Sequence, residues 1–377
     1  MPNRRRLGQT AKCAMKIAMI GSRGIPETYS GIETALKAMC PRLVALGHDV
    51  TVYCRRYYGL PQEYEGVRLV SLPSINTKHL DTISHVLLCT LDSAFRDFDI
   101  LHFHALGPTL LSWLPRMQGR KVVATVQGLD WQRAKWGRLA RSVLQVGETT
   151  SARLPHRTIV VSRELKKHYE ATYGSSFVYI PNGVDIPSPV PPRRIMEEYG
   201  LLGSDYIFFA SRLVPEKGAH FLLDAYSRLD TTHKLVIAGE GVHIEDYVDS
   251  LKQMATPDVI FTGYVSGELL AELFSNAYLY VLPSEMEGLS LSLLEAMSYG
   301  LCPLTSDIPE NLEVIGDCGF SFRSGDADSL REMLQRLVNE PDVVKEHGVR
   351  ARLRVQHEYG WDRITDLTDS VYSSLFR

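Results

Sequence analysis

Short runs of consecutive apolar residues alternate along the chain with longer segments whose apolar positions recur every three or four residues. KIAMIG, from Lys16, reads as a strand. GIETALKAMCPRLVALG, from Gly31, reads as an amphipathic helix with Gly47 where a helix-terminating glycine belongs, and HDVTVYCRR reads as the next strand. FDILHFHA, KVVATVQG and RTIVVS continue the series, with helical stretches between. The proline-rich stretch TYGSSFVYIPNGVDIPSPVPPRRIMEEYG reads as a linker. A second series follows, in which YIFFAS, KLVIAGEG, VIFTGYV and AYLYVLPS are strands, and AHFLLDAYSRL and GELLAELFSNA are helices. Continuous apolar runs mark strands covered on both faces, and strand–helix alternation marks parallel sheets. The predicted fold class is α/β, with two doubly wound Rossmann-like domains facing a central cleft. A basic tail spans residues 1–14, the first domain 15–184 and the second 185–356. The closing stretch has helical spacing at Trp361, Ile364, Leu367 and Val371.

Composition narrows the classes of function. The chain has 377 residues, which favours two cores over one. A formal net charge of −3 gives no broad basic field, so no nucleic-acid partner is expected. The six cysteines show no CxxC spacing and several lie in apolar runs. They read as buried free thiols in a reducing, cytoplasmic setting. No apolar stretch approaches the ~20 residues that span a bilayer. The start, MPNRRRLGQTAKCA, lacks the apolar core of a secretory signal and reads as a frayed tail or an arm touching a lipid leaflet.

Ligands of open parallel sheets bind beyond the carboxyl ends of the strands, so chemistry is sought there. The loop IGSRGIPETYSGIETALK offers Gly21, Gly24 and Gly31 for close backbone approach, and a helix start suited to a phosphate. A plain glycine-eased turn is the alternative. GxGxxG is missing, and Arg55-Arg56 stand where an NAD site needs an acid, which demotes a dinucleotide site; a 2′-phosphate could still use the arginines. In ASRLVPEKGAHF, Arg212 and Lys217 can clamp a diphosphate and stabilise charge on it as it leaves, or else be two solvated cations. In SEMEGLSLSLLEAMSYG, Glu287 can accept hydrogen bonds from sugar hydroxyls. Glu295 can accept them from a ribose, or can close a capping box with Ser292. His102 and His104 share a strand face. They read as a satisfied pair or as a sugar-contacting His104, more than as two metal ligands lacking a third.

SRLVPEKG followed by EGLSLSLLEAM closely resembles glycosyltransferase family 4, the retaining, nucleotide-sugar-dependent enzymes of GT-B fold. SRGIPETYSGIET and VQGLDWQRAKWGR resemble its rhamnosyltransferase-like branch. The resemblance runs from about Met15 to the C-terminus. It implies that Arg212 and Lys217 bind the donor diphosphate, Glu287 the transferred sugar and Glu295 the nucleotide ribose. The amides of Leu289, Ser290 and Leu291 would grip phosphate, the Val265 backbone would meet the base, and Gly31 would approach the donor from the other domain. Residues 357–377 would form a helix crossing back to the first domain. No cofactor or metal is implied, the nucleotide sugar being a substrate. The chain departs from the family pattern at Leu289, Ser290 and Ser292, where Phe, Gly and Pro are usual. It departs again at Ser30, where a glycine pair is usual, and at Gln127, where TVHG is usual. Glutamine can hydrogen-bond an acceptor but cannot shuttle its proton.

The expected activity is transfer of a sugar from a UDP-, GDP- or dTDP-sugar to a glycan or lipid-linked acceptor, as in surface polysaccharide synthesis. His104 and Gln127 are candidate acceptor contacts. A nucleotide-sugar epimerase on the same architecture, or a silent sugar-nucleotide-binding protein, are the alternatives. In DWQRAKWGRLARSVLQ, tryptophans and cations interleave as on a helix suited to a lipid surface, which would place the protein peripherally at the inner face of the cell membrane. The alternative is a solvated helix whose tryptophans turn inward.

Overall fold

The computed structural model describes residues 14–26, 30–77, 80–132, 137–241 and 244–377. The tail expected over 1–14 therefore lies, but for Ala14, outside the described residues, as do Arg133, Lys135 and Trp136. Two compact units emerge: residues up to 159 together with 365–377, and residues 160–364.

In chain order the elements are β1 (Lys16–Ile20), α1 (Gly31–Ala45), β2 (Asp49–Arg55), β3 (Glu63–Tyr64), β4 (Val67–Leu72), α2 (Asp81–Ala94), β5 (Ile100–His104), α3 (Leu106–Thr109), α4 (Trp113–Met117), β6 (Lys121–Val126), α5 (Arg138–Arg153), β7 (Arg157–Val160), α6 (Arg163–Tyr173) and β8 (Val178–Tyr179). There follow α7 (Arg194–Tyr199), β9 (Tyr206–Ala210), α8 (Ala219–Ser227), β10 (Lys234–Ala238), α9 (Glu245–Met254), β11 (Val259–Gly263), α10 (Gly267–Asn276), β12 (Leu279–Leu282), α11 (Leu291–Ser298) and β13 (Pro303–Ser306). The chain ends with α12 (Pro309–Ile315), β14 (Phe320–Phe322), α13 (Ala327–Val338), α14 (Pro341–Glu358) and α15 (Trp361–Ser373).

The first sheet has the order β3-β4-β2-β1-β5-β6-β7-β8, the second β11-β10-β9-β12-β13-β14. β1 runs parallel to both β2 and β5, with Ile17 beside Val50 and Ile100. β3 is antiparallel to β4. Both sheets show why their strands read as unbroken apolar runs. In β9, Tyr206 and Phe208 enter one core cluster while Ile207 and Phe209 enter the other, because side chains alternate and both faces are covered by helices. In β5, Leu101 and Phe103 join the apolar cluster with Val86 and Cys89 of α2. The opposite face of β5 carries His102 and His104, also buried.

The stretch read as a linker is partly ordered structure. It contains β8 and α7, and it is pinned where the Val184 amide donates to the Tyr359 carbonyl at 2.7 Å. α15 begins in the unit of residues 160–364 and ends in the first unit. There Asp369 meets His48 Nε2 at 3.0 Å, and the Tyr372 hydroxyl meets His102 Nδ1 at 2.7 Å, all of them buried. The five described cysteines are buried free thiols. Among the described residues no helix is long and apolar enough to cross a membrane.

Candidate functional site

Strand order locates the site in the second sheet. β9 opens this half, and the chain builds outward to β10 and β11, then returns to place β12 on the other side of β9. Loops that leave β9 and β12 diverge to opposite faces and open a crevice at their carboxyl ends. The loop after β9 carries Arg212 and Lys217; the loop after β12 carries Glu287.

The two loops are fastened together by backbone. The Glu285 amide donates to the Glu216 carbonyl at 3.0 Å. Gly218, at φ 70°, sits so close that a Cβ would lie 2.0 Å from the Pro283 carbonyl oxygen, so only glycine permits this approach. With the backbones held, Lys217 Nζ donates to Glu287 Oε1, and the Ser284 hydroxyl donates to the same oxygen at 2.8 Å. Lys217 and Glu287 are 13% and 7% exposed. Beneath them the Ser306 hydroxyl donates to the Ser284 carbonyl, and Asn311 Nδ2 donates to Ser306 Oγ at 3.0 Å. Sequence reading missed this polar support, because Ser284, Ser306 and Asn311 belong to separate loops and elements. Arg212 is exposed in the turn that leaves β9. Lys217 and Glu287 are thus joined directly, and Arg212 lies on the same loop as Lys217.

α11 starts at Leu291, with Ser290 as its cap; the Ser290 hydroxyl accepts from the Leu293 amide. The capping box anticipated at Ser292 and Glu295 is therefore not formed. Ser292 lies inside the helix and bonds the Tyr280 hydroxyl at 2.9 Å. No hydrogen bond reaches the Glu295 carboxyl among the described residues, and burial pushes it up to about 7. A half-buried, desolvated acid left without donors favours its neutral form, and a diol supplying hydrogen bonds would restore the anion. Leu289 and Ser290 are buried and Leu291 is half-buried, at a helix start whose first amides have no intrahelical acceptor. Val265 is half-buried between β11 and α10, beside the exposed ring of Tyr264, which the sequence reading passed over.

The first sheet has its own reversal between β1 and β5. Gly21, at φ 115°, brings the end of β1 against β5, where a Cβ would stand 2.5 Å from the His104 carbonyl oxygen. Gly31 is the first residue of α1. Glu33, unnoticed in the sequence, is buried there; it accepts from the Arg23 amide at 2.8 Å and from the Ser30 hydroxyl. Ser30 and Glu33 have S-x-x-E spacing, which was the signal available. His102 is satisfied by Tyr372 and, at 2.7 Å, by Thr125 Oγ1. His104 stacks on it with ring centres 4.2 Å apart, and its buried Nε2 has no partner. Burial lowers both imidazoles, His104 to about 3, so both are neutral near pH 7. Gln127 is half-buried just past β6. Among the described residues no three His, Cys, Asp or Glu side chains gather as metal ligands.

Two sequence alternatives are corrected. Arg55 is buried against Asp81, with Thr82 Oγ1 at 3.1 Å, so its charge is already neutralised and does not suit a 2′-phosphate. The stretch DWQRAKWGRLARSVLQ is not one helix: a single 3₁₀ turn covers Asp130–Gln132, and α5 starts at Arg138. Trp131 turns inward, its Nε1 donating to Glu148 at 2.6 Å.

The arrangement matches known families. Residues 29–187 fit the model "Glycosyltransferase Family 4" and residues 193–354 the model "Glycosyl transferases group 1". A GDP-mannose-dependent alpha-(1-6)-phosphatidylinositol monomannoside mannosyltransferase of Mycolicibacterium smegmatis is 27% identical, over 91% of this chain and 94% of its own. Sucrose-phosphate synthase of Thermosynechococcus elongatus superposes with a TM-score of 0.83 at 20% identity, covering 96% of this chain and 99% of that one. HepE of Anabaena, in complex with UDP and glucose, gives 0.81 at 18%, covering 96% and 100%. These names speak of mannose, sucrose phosphate and glucose, and lend no support to a rhamnosyltransferase branch. The family models meet with only a short gap between them, and the fold agrees across nearly the whole length. The chain is a nucleotide-sugar-dependent glycosyltransferase of family 4, built on the GT-B fold.

Proposed function

We propose that this glycosyltransferase is retaining and moves a hexose or deoxyhexose from a nucleotide diphosphate to a glycan or lipid-linked acceptor, with a role in surface polysaccharide synthesis. The observation that carries the reading is the largely buried Lys217–Glu287 pair at the β9/β12 reversal, with the unpartnered Glu295 carboxyl on the following helix.

A carboxylate beside a diphosphate would repel it, and Lys217 removes that difficulty. Its ammonium has three donors and spends one on Glu287, leaving others for a phosphate oxygen. Lys217 and Arg212 then take up the charge that develops on the departing diphosphate, aided by the amides of Leu289, Ser290 and Leu291. Glu287, its direction fixed by Ser284, holds hydroxyls of the transferred sugar. Glu295 takes the ribose diol, and the backbone at Val265 takes the base. Gly31 serves the donor by resemblance; His104 and Gln127 serve the acceptor. No dedicated base stands among these groups, so the leaving phosphate itself receives the acceptor proton during front-face attack. The chemistry needs no metal ion, because cations and amides of the chain supply the electrophilic assistance. The reading places the protein in the cytoplasm, peripherally on the membrane. It foresees no nucleic-acid partner.

A thermal-shift screen of UDP-, GDP- and dTDP-sugars, followed by incubation of hits with and without a lipid-linked acceptor, tests this. A dTDP-deoxyhexose belongs in the panel on the strength of SRGIPETYSGIET. Acceptor-dependent transfer with retained anomeric configuration supports the reading. Acceptor-free isomerisation would make the protein an epimerase, and binding without turnover a silent binder.

A further inference from the structure

The outer surface of the first unit breaks the usual rule that a helix turns polar residues to water. On α2 and its end, Ile83, Leu87, Leu91 and Phe95 fall at every fourth position and form one outward stripe; Phe95 is 91% exposed. The acids around it are paired: Asp81 with Arg55, Asp92 with Tyr53 and Arg96, and Asp97, exposed just past Phe95, with Lys16 and Arg120. α4 touches α2 and adds exposed Trp113 and Met117 four residues apart, the latter 78% exposed. On α5 the same pattern returns as Leu139, Val143 and Val146. A surface patch of several large apolar side chains marks a docking site.

Charge identifies the occupant. Over the whole chain 41 basic residues face 44 acidic ones. The excess of cations lies on α4, α5 and the chain between them rather than on α2: between Leu101 and Gly147, Arg116, Arg120, Lys121, Arg133, Lys135, Arg138 and Arg141 stand against the single acid Asp130, with Arg120 already paired to Asp97. Arg116, Arg138 and Arg141 are exposed on the same helices as the apolar stripes. A second copy docking through this face across a twofold axis would set these cations against themselves. An anionic bilayer neutralises them and takes up the apolar side chains.

We propose that the helical face formed by α2, α4 and α5 docks on an anionic lipid bilayer, with Phe95, Met117 and Leu139 entering the acyl boundary and Arg116, Arg138 and Arg141 against the headgroups. This deepens the reading of a membrane-borne acceptor, yet docking itself calls for neither donor nor acceptor. The full chain is floated with vesicles of phosphatidylcholine alone or mixed with phosphatidylglycerol, at low and high salt. Binding is expected to the mixed vesicles and to weaken with salt. Leu87→Ser with Leu91→Ser should lower it at least tenfold, and Arg138→Glu with Arg141→Glu by roughly fivefold or more for each cation. All four positions are exposed, and melting temperature with the donor-induced thermal shift serves as the check that these variants fold. No binding to the mixed vesicles, or undiminished binding by both double variants, overturns the proposal. So does a concentration-dependent dimer in light scattering that Leu87→Ser abolishes. Vesicle binding without any donor shift would leave docking intact and sink the transferase reading instead.

Discussion

The two sheets reverse their strand order in the same way, but what they place at the reversal differs in kind. The second sheet gathers charge there: Lys217 locked on Glu287, Arg212 in the adjoining turn, Glu295 unpartnered on α11. The first sheet offers neutral hydrogen-bonding groups, His104 and Gln127, and Glu33, at the start of α1, is consumed in holding the loop. Charge built into a crevice is costly unless a charged ligand or a partner answers it, so the second reversal suits a nucleotide diphosphate. Neutral donors and acceptors suit hydroxyls, which is what an acceptor sugar presents. On the proposed reading, one architecture would serve two chemistries by changing which residues follow the strands.

The contrast is broken most severely at its charged end. Lys217→Met or Glu287→Gln is expected to lower transfer by about 10²–10³-fold, the range for losing one electrostatic contact to developing charge. Kinetics of the double variant should show far less than the product of the two losses, because the pair acts as a unit. Each single change also strands a largely buried polar group, so calorimetric melting should fall more in either single variant than in the double one.

Glu295 gives a smaller and pH-dependent effect. Its folded-state pKa is raised to about 7 from an ordinary 4.5, so its contribution to stability is intact below 4.5 and is lost as pH rises through about 7. Glu295→Gln should therefore gain on the parent at pH 8 by up to about 3 kcal/mol in chemical denaturation. Donor binding works in the opposite sense: a diol donating to this carboxyl prefers the anion, so affinity should rise between pH 6 and 8 and binding near pH 7 should release a proton. Titration calorimetry in buffers of different ionisation enthalpy reads that proton; its absence would remove Glu295 from the ribose.

On the neutral side, His104→Ala should lower kcat/KM for the acceptor by about 5–100-fold, the worth of one buried hydrogen bond, while leaving donor affinity unchanged. A matching fall in donor affinity would erase the contrast between the two reversals. The smallest effect is expected from Tyr372→Phe. It removes one bond to His102, whose ring supports His104, and should cost only severalfold in acceptor turnover.

Particular residues show how far the sequence reached. The strand runs, Gly47 as a helix end, and the strand-end positions of Arg212, Lys217 and Glu287 were legible, because each depends on local periodicity and on residues close in the chain. The S-x-x-E spacing offered a capping box at Ser292 and Glu295 as an alternative, which the structure does not form, and was passed over at Ser30 and Glu33. The pattern is short, and which serine caps a helix depends on where the preceding loop enters it. In the tryptophan–arginine stretch the inward alternative holds for Trp131, which bonds a buried acid seventeen positions on, but the expectation of one helix fails, because a 3₁₀ turn precedes α5.

By itself, then, the sequence determined the alternation of strands and helices, the two-sheet class and the family, since these rest on repeating patterns of burial and on contiguous motifs. Tertiary structure alone decided that Lys217 bonds Glu287, that Glu295 stands without a donor, that Tyr372 reaches His102, and that α2 turns an apolar stripe outward. Each of those depends on which surfaces strand order brings together or leaves bare, across separations of tens to hundreds of residues that no local pattern encodes.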